Sequence, residues 1–373
     1  MAEESQTIVI DNGSQMIKAG YGGEEVPRIV CPSNVGRPKY YRVVLGHEDK
    51  NVYIGDHAYE NAEVLFLNYP IKHGVITNWD DMEILWRNIF ERQLAIDTSQ
   101  HPVIITEPAK NPKSNREKMA QILFESFNVP SLYVSVQGIL SLYTFGRNTG
   151  IVCNIGDGVS EFYPIYEGIP IHQAAIRNDF AGDDVTNWLQ ELLREHGHNF
   201  TTTAEKVIVR DIKEKHSYTP LDYESELQKA KNTADCEVQY TLPDGNIITI
   251  SDERFRCSEL LFQPNMNGFE LDGIHLNILN SIKRCKTNFH KDLYSNILLC
   301  GGASMTEGLP YRLEKEIVNS VPQVVNVRIA APPERKYSTW IGGSIFSQCI
   351  TSEKYISRSE YDEIGKAIVH QCT

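Results

Sequence analysis

Two stretches about 140 residues apart decide the reading of this chain: Ile8-Val-Ile-Asp-Asn-Gly-Ser14, followed by Lys18-Ala-Gly20, and Ile151-Val-Cys-Asn-Ile-Gly-Asp-Gly158, followed by Tyr166-Glu-Gly168. Each is a short β-branched run, a small polar turn and a second strand, so each reads as a β-hairpin. The turn of each offers backbone N–H groups to an anion. Two such turns facing each other would grip a phosphate tail from both sides.

Working outward, helical periodicity begins soon after the first hairpin. In Asn78-Trp-Asp-Asp-Met-Glu-Ile-Leu-Trp-Arg-Asn-Ile-Phe90, Met82, Leu85, Trp86 and Ile89 share one face, with Asn78 as N-cap and Asp80, Asp81 and Glu83 in the first turns. Val103-Ile-Ile-Thr-Glu107 reads as a buried strand, and helices are expected over about 114–127 and 136–145. After the second hairpin, 183–196 and 203–215 repeat the amphipathic helical pattern. Strands and helices thus alternate twice, which predicts a duplicated α/β fold of two lobes with a cleft between related halves. A third glycine signal, Asn296-Ile-Leu-Leu-Cys-Gly-Gly-Ala-Ser304, is a buried strand running into Gly301-Gly302 and a helix near 309–320. Strand-to-helix turns of this kind are where α/β proteins hold ligands.

The bulk properties narrow the function classes. The chain has 373 residues, 41% hydrophobic and 23% charged, which fits a folded protein of more than one lobe. Its net charge of −13 argues against a nucleic-acid groove and favours basic or hydrophobic protein partners. The eight cysteines show no zinc-type spacing, so reduced thiols are the expectation. There is no apolar run long enough to span a membrane and no signal-peptide pattern, so neither membrane insertion nor secretion is expected. Two segments, 39–51 and Asn265-Met-Asn-Gly-Phe-Glu-Leu-Asp-Gly273, place apolar groups among turn formers on the surface.

Taken together, these motifs resemble the actin family from end to end. The resemblance is carried by Asp11-Asn-Gly-Ser14, Val35-Gly-Arg-Pro-Lys39, His73-Gly, Thr77-Asn-Trp-Asp-Asp-Met82, Asn115-Arg-Glu-Lys-Met119, Gly156-Asp-Gly158, Arg210-Asp-Ile-Lys-Glu-Lys215, Leu242-Pro-Asp-Gly245, Pro332-Pro-Glu-Arg-Lys-Tyr-Ser338 and Trp340-Ile-Gly-Gly343. It implies the α/β actin/Hsp70/sugar-kinase-type fold, with two lobes around a nucleotide cleft and four subdomains. These would be an outer base (1–32, 70–144, 338–373), a small outer subdomain (33–69), an inner base (145–180, 270–337) and a small inner subdomain (181–269).

The resemblance also implies ATP or ADP with Mg²⁺ or Ca²⁺ and head-to-tail polymerisation. Asn12, Gly13, Ser14, Gln15, Met16 and Lys18 correspond to one side of the phosphate grip, and Gly156, Asp157, Gly158 and Val159, with Gly182, to the other. Lys18 supplies a compact cation, and Asp11 corresponds to the carboxylate that holds the metal through its waters. Arg210, Lys213 and Glu214, spaced i, i+3 and i+4, would address ribose and base; Gly301, Gly302, Ala303 and Met305 would line the nucleotide, and Lys336 would close its adenine side. Gln137, ordinarily a solvated amide or a cap, corresponds to the group that orients the attacking water.

Several positions depart from the family pattern. Asn154 stands where the family carries an aspartate, and Glu161 where it carries a histidine. Both belong to the water-activating cluster, and loss of such a group typically costs roughly 10²- to 10³-fold in rate. A carboxylate ~8 Å from a phosphate would also repel it by about 2 kcal/mol at an effective dielectric near 20. Weak or absent hydrolysis is therefore expected, with relocation of the base to Glu161, some two strand positions away, as the alternative. Gln15 replaces a glycine, so its turn must avoid positive φ or carry strain. Thr306 and Ala303 replace an aromatic and a hydroxyl residue near the base, which predicts looser adenine holding.

Segments 39–51 and 265–273 correspond to filament-contact loops, with Tyr40, Tyr41, Arg42, Asn267 and Leu271 altered, and are expected to contact protein neighbours. The tail, with Tyr355, His370-Gln371 and Cys372-Thr373, is altered where the family collects regulators. Two functional readings follow: a cytoplasmic, cytoskeletal filament former that meets actin-binding proteins, or an actin-related structural subunit that binds nucleotide inside a larger complex. A sugar kinase or chaperone ATPase is set aside, because the resemblance includes both filament loops.

Overall fold

The structure is a computed structural model that describes residues 6–39 and 52–371. The chain divides into two compact units, Met1–Asn148 with Lys336–Thr373, and Thr149–Arg335. In the first unit the strand Ile8–Asn12 runs antiparallel to Met16–Tyr21 and parallel to Val103–Glu107, which is parallel in turn to Ser131–Val136. Ile29–Pro32 and Ile356–Ser357 complete the edges of a six-stranded sheet. Ile8, Val9 and Ile10 and their neighbours Val103, Ile104 and Ile105 are wholly buried, as continuous β-branched runs must be when a parallel sheet is covered on both faces.

The helices that cover this sheet start where the sequence signals them. Trp79–Arg87 is capped by the Asn78 side chain, which accepts from the Asp81 N–H, and continues as a π-helical turn over Asn88–Gln93. Met82, Leu85, Trp86 and Ile89 are all fully buried. Gln137–Thr144 and Ser338–Cys349 cross so closely that a Cβ at Gly342 would lie 1.8 Å from the Leu140 carbonyl oxygen. The Trp340 indole N–H donates to the Val9 carbonyl at 3.0 Å, locking this helix pair to the central strand.

A three-stranded sheet of Tyr53–Ile54, Val35–Pro38 and Leu65–Asn68 carries its own small core of Tyr53, Ala58 and Leu65. Its polar fastening is Asp81, a wholly buried carboxylate that accepts from the Arg37 guanidinium, the Asn68 amide and the Asn78 amide. The loop expected to meet a filament neighbour lies, from Tyr40 to its end, outside the described residues, as do Cys372 and Thr373.

The second unit repeats the plan of the first. Gly150–Ile155 runs antiparallel to Ser160–Tyr166 and parallel to Ile297–Cys300, which is parallel to Ile329–Ala330. The registers also correspond: Asn12↔Ile17 and Asp11↔Lys18 are the last two pairs before the first turn, and Ile155↔Ser160 and Asn154↔Glu161 the last two before the second. Glu161 therefore stands directly across the hairpin from Asn154, and not two strand positions away as the sequence reading expected. Gly182–Glu195 follows, then Thr203–His216, whose Thr202 and Glu205 form a reciprocal capping box. A ribbon of Val238–Thr241 and Ile247–Ile250 turns at Gly245, where φ is +87°.

The expectation that 265–273 offers an apolar contact loop holds only in part. Met266 and Phe269 pack against the core of their own unit, with the Phe180 and Phe269 rings 5.0 Å apart. Leu271 alone of the three remains exposed. None of the described cysteines forms a disulfide, and no described helix is long and apolar enough to cross a membrane.

Between the strands Ile29–Pro32 and Val35–Pro38, Asn34 is wholly buried and neither atom of its amide meets a hydrogen-bond partner among the described residues. Burying an unsatisfied amide costs roughly 1–3 kcal/mol. Asn34→Leu, of similar volume, should raise the stability by about 1 kcal/mol, seen in urea denaturation as a higher midpoint at unchanged slope; a lower midpoint would contradict this.

Candidate functional site

In the first hairpin the chain reverses over Gly13, Ser14 and Gln15. A Cβ at Gly13 would come within 2.5 Å of the Met16 carbonyl oxygen and 3.5 Å of the Lys18 ammonium, so the tightness of the turn requires glycine there. Gln15 is accommodated without positive φ, and the strained alternative does not arise. Ser33 holds the turn from one side: its hydroxyl donates to the Gly13 carbonyl and its N–H to the Gln15 carbonyl, both at 2.7 Å. The Ser14 hydroxyl accepts the N–H of Gly74 at 2.9 Å.

Behind the turn lies Asp11, only 3% exposed. Its Oδ2 pairs with the Lys18 ammonium at 3.1 Å, while Oδ1 accepts from the Thr106 hydroxyl at 2.9 Å and the Gln137 amide at 3.1 Å. Gln137 also donates to the Asn12 carbonyl at 3.1 Å. It is thus a buried amide tied to the hairpin, not the solvated group a helix start ordinarily carries. Asn12 in turn accepts from the Trp86 indole at 3.2 Å. Thr106, Ser33 and Gly74 were not among the sequence candidates. Thr106 could have been found, since it is the polar end of a Val-Ile-Ile run whose register with Ile8–Asn12 brings it beside Asp11.

The second hairpin is arranged differently. The Gly156 N–H donates to the Val159 carbonyl at 3.0 Å and closes the turn, so it is not offered to an anion as the sequence reading expected. The turn docks on the start of the helix Gly182–Glu195: the Gly182 and Asp183 N–H groups donate to the Gly156 and Asp157 carbonyls at 3.1 and 2.7 Å. A Cβ at Gly182 would lie 3.1 Å from the Gly156 oxygen and 3.2 Å from Ala303. Gly301, at φ +92°, is confined further, for a Cβ there would sit 2.3 Å from the Ile155 oxygen and 2.7 Å from the Asn154 amide oxygen. Asn154, Gly156, Asp157, Gly182, Gly301 and Ala303 therefore converge, whereas Gly302 has open space where a side chain would be.

The helix Thr203–His216 reaches the same place. The Lys213 ammonium donates to the Gly182 carbonyl at 2.7 Å and the Thr186 hydroxyl at 2.8 Å. Burial pushes it below the usual lysine range, against the opposing pull of the Asp157 charge. Burial also acts to raise the Asp183 carboxyl, but Lys206, Arg210 and Lys213 prevail and hold it below the usual range. Arg210 Nη2 stands 3.4 Å from Asp183. Of the three residues expected to share one helix face, Arg210 and Lys213 are buried and Glu214 is exposed. Met305 is exposed, and Thr306 turns its hydroxyl back to the Ala303 carbonyl at 3.0 Å. Lys336 belongs to the first unit, exposed, with its ammonium 4.7 Å from the Tyr337 ring centroid.

Among the described residues His196, Asp252 and Glu253 also bring possible ligand atoms within 4.8 Å of one another. Those groups are already balanced, His196 on Glu253 and Asp252 on Arg256. The donor set of the first hairpin fits a phosphate and a hydrated divalent cation better. A carboxylate already holding a lysine, a hydroxyl and an amide suits a cation that keeps its own waters, and the glycine turn leaves a cradle that a Cβ would fill. The actin family model matches residues 2–373. The chain belongs to the actin family. Its two-unit α/β architecture is the actin-type fold, in which Asn154 and Glu161 are both buried and paired across one hairpin.

The glycines of the third turn separate structural from functional constraint. Gly301→Ala should destabilise the chain by about 3 kcal/mol through strain and overlap, seen as a fall in the thermal midpoint. Gly302→Ala should leave that midpoint within about a degree, as expected of an unstrained surface change.

Proposed function

We propose that this actin-family chain binds ATP or ADP with Mg²⁺ or Ca²⁺, self-associates head-to-tail, works in the cytosol, and hydrolyses ATP weakly. The observation that carries the reading is the contrast between the two hairpins at corresponding pairs: Asp11 faces Lys18, and Asn154 faces Glu161. The first pair holds a cation and a phosphate together, with Lys18 toward the anion and Asp11 toward the metal's waters. A bound divalent cation supplies charge neutralisation for the phosphates. Gln137, held by its bonds to Asp11 and Asn12, is assigned the water-orienting role in this reading.

At the second pair an amide and a carboxylate take the place of the family's aspartate and histidine. Asn154 contributes no negative charge, and Glu161 brings a buried carboxyl group to the facing strand. Cross-strand neighbours have Cβ atoms roughly 4.5–5.5 Å apart, so relocation of the base to Glu161 is a shift of one cross-strand step. A second reading, nucleotide binding within a larger complex without long filaments, is favoured by the packing of Met266 and Phe269 onto their own unit.

Sedimentation and phosphate release in Mg-ATP and salt test these readings together. The expected result is a pellet with phosphate release roughly 10²- to 10³-fold below that of an ordinary actin. Normal release abolished by Glu161→Gln would favour relocation of the base, and a soluble species that binds ATP would favour the complex-bound reading. Failure to bind Mg-ATP would refute the nucleotide assignment.

A further inference from the structure

The Thr106 hydroxyl lies at the end of the buried strand Val103–Glu107 and is 1% exposed. Its oxygen accepts the Asn12 backbone N–H at 3.0 Å. A backbone N–H can only donate, so the hydroxyl proton is directed elsewhere, and Asp11 Oδ1 receives it at 2.9 Å. Gln137 supplies the second donor to that oxygen. The Asp11 carboxylate is thereby asymmetric: Oδ1 is held by two buried protein donors, and Oδ2 meets Lys18, the most exposed member of the group.

In the second unit the position corresponding to Thr106 is Cys300, which follows Leu299 on the parallel strand and is in register with Asn154. A thiol is a weak donor and cannot orient a carboxylate in the same way. The two units thus differ not only in the residue facing the turn but in the group behind it.

We propose that Thr106 is a positioning residue for the divalent cation, fixing the Asp11 carboxylate so that Oδ2 presents to the metal's waters; this rests on the nucleotide reading given above. A rotated carboxylate would lose the cation more than the phosphate grip, because Ser14 is tied to the Gly74 N–H and the turn backbone to Ser33. Thr106→Val removes both the proton and the acceptor of the Asn12 N–H at nearly constant volume, and Thr106→Ser restores both.

The test uses the full chain and two affinities: ATP in EDTA, and Mg²⁺ on the ATP-loaded protein. For Thr106→Val the Mg²⁺ affinity should fall about tenfold, the range expected for losing a hydrogen bond to a charged group, while ATP affinity in EDTA stays within about twofold. Thr106→Ser should return to the wild-type Mg²⁺ value. If the valine variant loses its melting transition, Thr106→Ala serves in its place. Wild-type Mg²⁺ affinity in the valine variant, equal losses in both affinities, or a serine variant no better than valine would each overturn the assignment while leaving the nucleotide reading intact. A wild-type chain that binds no ATP overturns the nucleotide reading, and this assignment with it.

Discussion

The buried carboxylate of Asp11 is the point on which the first unit turns. Lys18 reaches it from the facing strand, Thr106 from the parallel neighbour and Gln137 from the start of a helix, so three separate stretches of chain are brought into one geometry by a single charge. Burying a carboxylate is costly unless it is paired and fully hydrogen-bonded. The sheet order, the hairpin register and the helix that begins at Gln137 are each necessary for that.

The second unit meets a different problem with the same topology. Its hairpin has no lysine facing Asn154, and its turn is closed on itself and docked on a helix start. The positive groups come instead from Lys213 and Arg210, which reach the region through the Gly182 carbonyl and Asp183. Duplication of the strand plan has not produced duplication of the chemistry. One unit carries its charges on the hairpin strands, and the other borrows them from a neighbouring helix.

Much of this was legible in the residue pattern. The β-branched runs predicted the buried strands, the spacing of Met82, Leu85, Trp86 and Ile89 predicted a helix that buries all four, and Asn78 marks the N-cap that forms. What was hidden depends on register and on competition among donors. Whether Gly156 offers its N–H outward or closes its own turn is decided by a carbonyl three residues on. That Glu161 faces Asn154 directly follows from the turn length, and that Lys213 points into its own unit follows from which helix start lies beneath it. Met266 and Phe269 look like contact residues in a loop of turn formers until a core with room for them is present.

The small sheet around Val35–Pro38 shows how one unit can contain a semi-independent part. Its apolar cluster of Tyr53, Ala58 and Leu65 is separate from the main core, and its polar tie to the helix below is Asp81 with Arg37 and Asn68. Arg37 is itself 44% exposed, so that tie is open to ions in solution. Little apolar area and a partly solvated ion pair describe a region whose opening free energy lies well below that of the whole protein. Amide hydrogens of this sheet are expected to exchange faster than those around Asp11, whose carboxylate sits within the main six-stranded sheet of the same unit.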